Sequence, residues 1–207
     1  LSTLPLDQIQ TRAEAGDAPA QNELGIRYRA GKEIEKDYVL AKEWFLKATE
    51  QDQPEACNNV GVSYRIGRGM EPDYALAMQW FQKGAALGNI NCEMYIAALY
   101  YAGQGVDEDY VEARKWNLKA AEKEDPFAQR LLGHFYEFVL GVDIDFEKAA
   151  EWYKKAGDQG YTRGYRSLAS LYNEWTDQDQ HLEQAFYWYM KAAEKNSGYA
   201  QYEVGLR

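Results

Sequence analysis

The chain has 207 residues, 27% of them charged and 46% hydrophobic, with a formal net charge of −10. No apolar run approaches the roughly 18 to 20 residues that a membrane-crossing helix requires, so no such helix is expected. The acidic excess disfavours nucleic acid as a partner, because a phosphate backbone needs a continuous basic surface, although a local basic groove is compatible with it.

In chain order, Leu6 to Ala15 carry an amphipathic pattern. Arg12, Ala13, Gly16, Asp17 and Ala18 read like the end of one helix leading into Ala20, so residues 1–19 are expected to form an N-terminal capping helix. The chain then repeats itself. Ala41, Ala77, Ala113, Ala149 and Ala185 recur every 36 residues, and so do Trp44, Trp80, Trp116, Trp152 and Trp188. Lys47, Lys83, Lys119, Lys155 and Lys191 keep the same beat, as do Tyr28, Tyr64, Tyr100, Tyr136 and Tyr172. Small residues fill two more columns: Ala20, Ala56, Cys92, Ala128, Gly164 and Ala200, then Gly25, Gly61, Ala97, Gly133, Ala169 and Gly205. Small side chains at fixed steps imply backbones in close contact. Five repeats follow, 20–55, 56–91, 92–127, 128–163 and 164–199.

In the second repeat Ala56, Val60, Gly61 and Tyr64 fall at helical spacing and run into Gly67 and Gly69, which stop a helix. This is helix A. An extended stretch from Met70 to Pro72 leads to Asp73, after which Tyr74, Ala77, Trp80, Phe81 and Gly84 predict helix B, ending near Leu87 and Gly88. The fourth repeat is expected to end its helix B at Gln159 and Gly160. Asp37, Asp73, Asp109 and Asp145 share one column, where a short carboxylate can cap a helix start, and Glu112 after Asp109 offers a capping box. Each hairpin is too small to bury its own apolar face, so the repeats are expected to stack as one continuous domain without a linker. The fifth repeat departs from the pattern: Trp175 and Asp177 replace the turn glycines, and His181 and Leu182 replace Asp-Tyr. Residues 200–207 begin a sixth helix A and break off, which fits either a longer natural protein or a trimmed tail.

The pattern Ala, Leu-Gly, Tyr, Gly-x-Gly-Val, Asp-Tyr, Ala, Trp-Phe, Lys-Ala-Ala resembles the Sel-one-like repeat family, a relative of the tetratricopeptide repeats. The third repeat shows it most fully in Tyr100, Gly103, Gly105, Val106, Asp109, Tyr110, Ala113, Trp116, Lys119, Ala120 and Ala121. The resemblance spans residues 20–199 and implies an all-α fold: a right-handed α-α superhelix (solenoid) of about five helix-hairpin repeats. The chain begins at Leu1 rather than Met, so an upstream segment is taken to have been removed, by a signal peptidase or by cloning. The family's bacterial members often carry signal peptides, which favours a periplasmic or secreted protein.

Cys57 and Cys92 lie near the starts of neighbouring A helices. Adjacent axes stand roughly 8 to 10 Å apart and a disulfide wants its Cα atoms within about 7 Å, so two free thiols are expected, with Cys92 a small packed residue. Some relatives staple the two helices of one repeat with a disulfide, yet no repeat here holds two cysteines. The two histidines, His134 and His181, have no zinc spacing, and no nucleophile elbow or phosphate loop occurs. Gly67-Arg68-Gly69 and Gly103-Gln104-Gly105 are repeat turns. Asp107, Glu108 and Asp109 lack the spacing of a calcium loop. No metal or cofactor is expected, and the Trp column is assigned to the core.

Function then falls to the surface, where by analogy with tetratricopeptide arrays the A helices line a concave face and the columns that vary are informative. One column reads Asn22, Asn58, Met94, Arg130, Arg166; the next reads Ile26, Val62, Ala98, His134, Ser170; the third reads Arg29, Arg65, Tyr101, Glu137, Asn173. Arginine forks hold carboxylates, Met and Tyr give adaptable apolar contact, and Asn22 and Asn58 resemble the asparagines that hold a peptide backbone in tetratricopeptide grooves. The expectation is a non-enzymatic, monomeric interaction scaffold whose concave face binds a partner protein or peptide with an acidic segment. Asn22, Arg29, Asn58, Arg65, Met94, Tyr101, Arg130, His134, Glu137 and Arg166 would carry it. The same arginines can equally pair with Glu or Asp of adjacent repeats. Resemblance offers a host-protein-binding factor, an envelope adaptor or an immunity protein against a toxic effector. Two alternatives stand beside it. One is a small enzyme or binder of cell-wall or antibiotic-like ligands, with Glu137 beside His134 as its acid-base pair. The other is self-association through the exposed ends of the array.

Overall fold

The computed structural model describes residues 1–68, 71–138, 140–174, 179–195 and 198–205, so the expectations for Gly69, Met70, Trp175 and Asp177 lie outside the described residues. It is all-α, with twelve helices and no strand among the described residues. They fall into two compact units, Leu1–Glu108 and Asp109–Arg207. The first holds α1 (Leu6–Glu14), α2 (Ala18–Ala30), α3 (Tyr38–Thr49), α4 (Pro54–Ile66), α5 (Tyr74–Ala86) and α6 (Ile90–Ala102). The second holds α7 (Tyr110–Glu122), α8 (Pro126–Glu137), α9 (Phe146–Asp158), α10 (Thr162–Glu174), α11 (Asp179–Glu194) and α12 (Gly198–Gly205). Within each unit every helix packs on the next one along the chain. Helix α1 precedes the first A helix, and A and B helices alternate from α2 to α12.

Polar residues set the boundaries. Asp37, Asp73, Asp109 and Asp145 each cap a helix B: Asp37 Oδ1 accepts from the Leu40 N–H at 2.9 Å, and Asp73, Asp109 and Asp145 accept from Leu76, Glu112 and Lys148. The capping box at Asp109 is half made, because the Glu112 carboxylate pairs with Lys115 at 2.6 Å. A second cap column went unread in the sequence. Asp17, Gln53, Asn89 and Asp125 also stand 36 apart, and their side-chain oxygens accept from the N–H groups of Ala20, Ala56, Cys92 and Ala128. Helix A ends on left-handed Gly31, Gly67 and Gly103 in the first three repeats. The fourth repeat has Val139 in that column, and α8 stops at Glu137 with Phe138 extended. In the fifth repeat His181 takes the place of the capping Asp, and α11 starts at Asp179, before the column where the other B helices begin.

Glycine permits the close approach inside each hairpin. A Cβ on Gly25 would lie 2.6 Å from Phe45, on Gly61 2.5 Å from Phe81 and on Gly133 2.6 Å from Tyr153, so the ring of helix B rests on bare helix A backbone. Phe45, Phe81 and Tyr153 are accordingly fully buried, each contributing about 1.5–3 kcal/mol of apolar burial. Ile9 of α1 stands in the same column and is 0% exposed, packed with Ala13, Ala20 and Leu24. Helix α1 thus packs on α2 as a helix B packs on the next helix A. The other turn column requires glycine for two reasons. Gly105 and Gly141 have φ of 73° and 70°, and a Cβ on either would strike the start of the preceding helix B, at Tyr74 and at Val111. In the first repeat Glu33 stands in this column with φ 63°.

The Trp column corrects the expectation of a core. All five tryptophans are half-buried. One face packs inward, as Trp80 does on Ala41, Phe45 and Val60, while the column of lysines three residues on lies over the ring. Lys47 stands 3.9 Å from the Trp44 centroid, Lys119 3.7 Å from Trp116 and Lys155 4.1 Å from Trp152. The two most regular columns are therefore one structural device, a cation on an aromatic face worth about 0.5–1 kcal/mol where exposed. Both cysteines are buried free thiols against Gly84. Burial pushes the Cys57 thiol up and the Cys92 thiol up to about 12, so neither is a reactive thiolate near neutral pH.

Candidate partner-binding face

In the first unit the A helices are α2, α4 and α6. Asn22 is buried, and its Oδ1 accepts from the Asn59 amide at 2.8 Å, which removes it as a free hand for a peptide backbone. Asn59 Oδ1 in turn accepts from Arg29 Nη1 at 2.8 Å, so the three side chains form one chain of bonds across two repeats. Asn58 is half-buried with the Cys92 thiol 3.9 Å from its Oδ1, Ile26 packs beside Phe45 and Val60, and Val62 is half-buried. Met94 is half-buried, and Ala98 and Tyr101 are exposed.

The arginines lie on rings. The Arg29 guanidinium is 5.5 Å from the Phe45 centroid and that of Arg65 is 5.0 Å from Tyr95, a ring itself stacked on Phe81 at 4.7 Å. Arg68, in the turn after α4, lies 5.7 Å from the Tyr38 centroid. The Arg65 Nε is buried without a hydrogen-bond partner. Burial, and then the neighbouring Arg68 guanidinium, hold the Arg29 pKa below its ordinary value. Ion pairs in this unit go elsewhere: Asp17 to Arg12, Glu23 and Glu33 to Arg27, Asp52 to Lys83. Among the described residues none of Arg29, Arg65 and Arg68 has a carboxylate at ion-pair distance. Among the described residues, no pairing of Arg29 or Arg65 with a Glu or Asp of an adjacent repeat is seen.

In the second unit α8 and α10 repeat the device. Arg130 lies 5.5 Å from the Phe127 centroid with its Nε buried and unpartnered, and Arg166 lies 5.4 Å from Tyr199. His134 packs on Phe138 at 4.6 Å, and burial, then Arg130, lower its pKa. Glu137 accepts a hydrogen bond from the Tyr153 hydroxyl, and burial raises its pKa despite that bond. The pair considered for acid-base chemistry is thus separated in role: Glu137 is engaged by the hairpin's own tyrosine and His134 packs against a tilted ring. Ser170 and the Tyr189 hydroxyl lie 3.3 Å apart, and Asn173 is exposed. Among the described residues no cluster of His, Cys, Asp and Glu could hold a metal ion, and no helix is long and apolar enough to cross a membrane.

Three features escaped the sequence reading. Arg68 was read only as a turn residue. Arg27, 1% exposed, binds Glu23, Glu33 and the Leu4 carbonyl, tying the N-terminal segment to α2. Gln21, Gln129 and Gln201 each donate to a carbonyl eight residues back, at Ala13, Ala121 and Ala193. Their numbers differ by multiples of 36, a signal that was available in the sequence.

Comparison with known proteins agrees with this architecture. The Sel1 repeat pattern matches residues 18–53, 54–89, 91–125, 126–161 and 168–197. A protective antigen of uropathogenic Escherichia coli displaying an SLR fold is 35% identical with a TM-score of 0.81, covering 97% of this chain; the chain spans 43% of that protein. A Sel1 repeat protein from Oxalobacter formigenes is 30% identical with a TM-score of 0.81, covering 94% of this chain and 80% of its own. The secretory immunoglobulin A-binding protein EsiB of Escherichia coli is 46% identical over 48 residues, which are 23% of this chain and 10% of EsiB.

Proposed function

Because the chain belongs to the Sel1 repeat family, a scaffold fold that is in general non-catalytic and mediates protein interaction, we propose that the A helices of each unit bind acidic segments of a partner protein. The observation that carries this reading is the state of Arg29, Arg65, Arg130 and Arg166. All four lie on aromatic rings with no carboxylate at ion-pair distance among the described residues, in a chain with a net charge of −10. A guanidinium supported on a ring keeps its planar fork available for a carboxylate, and less side-chain entropy is lost when one arrives. Met94 and Tyr101 add apolar contact of an adaptable kind on the same face of the first unit.

Of the versions the family offers, a host-protein-binding factor acting outside the bacterial cytoplasm is the one we favour. A relative matched over part of this chain is named for binding secretory immunoglobulin A. The test is an affinity pull-down with the immobilised chain beside the Arg65→Ala, Tyr101→Ala, Arg130→Ala triple variant, with mass spectrometry on what each retains. A protein retained by the wild type and lost from the variant, at unchanged helicity, supports the reading. Retention of the same proteins by both sinks it.

A further inference from the structure

The basic character of the A-helix face is not spread evenly, and its densest part lies at one end of the first unit. Two columns meet at the close of helix A and the turn that follows. They read Arg29 and Lys32 in the first repeat, Arg65 and Arg68 in the second, Tyr101 and Gln104 in the third, and Glu137 and Leu140 in the fourth. The scaffold therefore does not require cations there, since the third repeat closes helix A on the same left-handed glycine with Tyr101 and Gln104 in those columns. Lys32 is turned to the Ser2 carbonyl at 3.3 Å. Arg29, Arg65 and Arg68 remain. Arg29 donates to Asn59 of α4, the helix that carries Arg65 and runs into Arg68, and Arg29 and Arg68 both lie on rings of α3, at Phe45 and Tyr38, so the three guanidiniums share one neighbourhood.

Each is also held. Arg29 is bound by Asn59, which is bound to Asn22; Arg65 rests on the Tyr95 and Phe81 stack; Arg68 rests on Tyr38. The bland account is that cations are favoured at helix C-termini, and Arg29 and Arg65 do stand in the last turns of α2 and α4. That accounts for each cation singly. It does not account for three brought together with no carboxylate at ion-pair distance among the described residues, an arrangement that repels itself in the absence of a ligand.

Resting on the interaction reading above, we propose that Arg29, Arg65 and Arg68 form an oxyanion site that takes at least two neighbouring carboxylates of an acidic peptide segment. Three positive forks exceed what one carboxylate can neutralise, and planar bidentate pairing suits carboxylates spread along a chain. The site lies at the C-terminal ends of α2 and α4, where outward-pointing carbonyls disfavour a compact dianion such as phosphate; phosphate sites are built at the opposite ends of helices.

The test uses the full chain and three probes, an N-acetylated, C-amidated hexaglutamate peptide, the matching hexaglutamine peptide and inorganic phosphate, followed by calorimetry at low salt. Hexaglutamate should bind and hexaglutamine should not. Arg68→Gln should weaken hexaglutamate at least tenfold, and Arg29→Gln with Arg68→Gln should abolish measurable binding, with circular dichroism confirming retained helicity. Arg68→Gln sits in a half-buried turn and serves alone if the double variant unfolds. Unchanged affinity in Arg68→Gln, or no binding of hexaglutamate to the wild type, overturns the site, and displacement of hexaglutamate by an equal concentration of phosphate overturns its assignment to carboxylates. Neither substitution is part of the triple pull-down variant. A partner lost from that variant but kept by Arg29→Gln with Arg68→Gln would leave the interaction reading standing and remove this site.

Discussion

Glu124 holds a φ of 64° at the close of α7, in a column that otherwise reads Gly16, Asp52, Gly88 and Gly160. All five adopt the left-handed conformation, and a Cβ at any of the three glycines would meet nothing within 4 Å. The strain at Glu124 is therefore backbone strain without a packing reward, of about 1 kcal/mol or more. Part of it returns as chain entropy when glycine is introduced. Glu124→Gly should raise the unfolding free energy by about 0.5–1 kcal/mol, read as a higher urea midpoint at unchanged slope. Asp52→Gly should gain less, because it forfeits the 3.1 Å pair with Lys83; an equal or larger gain at Asp52 would refute the strain account. Arg27 shows the limit of reading at this scale. Its column continues as Ser63, Leu99, Phe135 and Leu171, which marks a buried position, yet nothing local says that a buried arginine would reach the Ser2 and Leu4 carbonyls.

At the scale of helices and hairpins, most of the fold was legible because its causes are local or strictly periodic. The Asp37 column, the turn glycines and the small residues of helix A act within one hairpin, so spacing alone placed them. Features that join one repeat to the next were illegible in proportion to their reach. Asn22 and Asn59 are 37 apart and stand in different columns, so a reading by columns left Asn22 facing the groove instead of bonded inward. The Trp and Lys columns were both found, but that one lies on the other follows only from side-chain direction. The α8–α9 hairpin carries a test of such contacts by pH. Burial and Arg130 lower the His134 pKa, so the folded state takes up a proton later than the unfolded chain, and stability is lost as pH falls below 6.5 through the depressed folded value. Burial raises the Glu137 pKa, so the folded state takes up a proton earlier, and stability is gained as pH falls from that raised value toward 4.5. In urea titrations between pH 7.5 and 4.5, His134→Gln should flatten the acid loss and Glu137→Gln should steepen it. Matching slopes in all three proteins would show that neither side chain is coupled to folding.

Across the molecule, stability must be distributed along the array, because each hairpin is held by its immediate neighbours. The core columns of α11 are as buried as those of α9, with Ala185, Tyr189 and Ala192 at most 3% exposed beside Ala149, Tyr153 and Ala156 at most 1%. The last helices differ in their outward faces: Leu182, Phe186, Tyr187 and Met190 of α11 are 38–51% exposed, and Tyr199 and Tyr202 of the eight-residue α12 are 50% and 63% exposed. The contrast is written in the columns. Tyr187 stands where earlier repeats place Glu43, Gln79, Lys115 and Glu151, and Met190 where the fourth repeat has Lys154. The helices with the least buried apolar area should open most often, since the free energy of local opening follows the contacts that opening breaks. Native-state hydrogen exchange should therefore show amides of α12 protected ~100-fold less than those of α9. Lowering the denaturant should slow exchange in α9 while leaving α12 almost unaffected, the mark of a local event against a larger one. Uniform protection from α9 to α12 would mean that the second unit opens as a whole, and the nearest-neighbour account of its stability would fail.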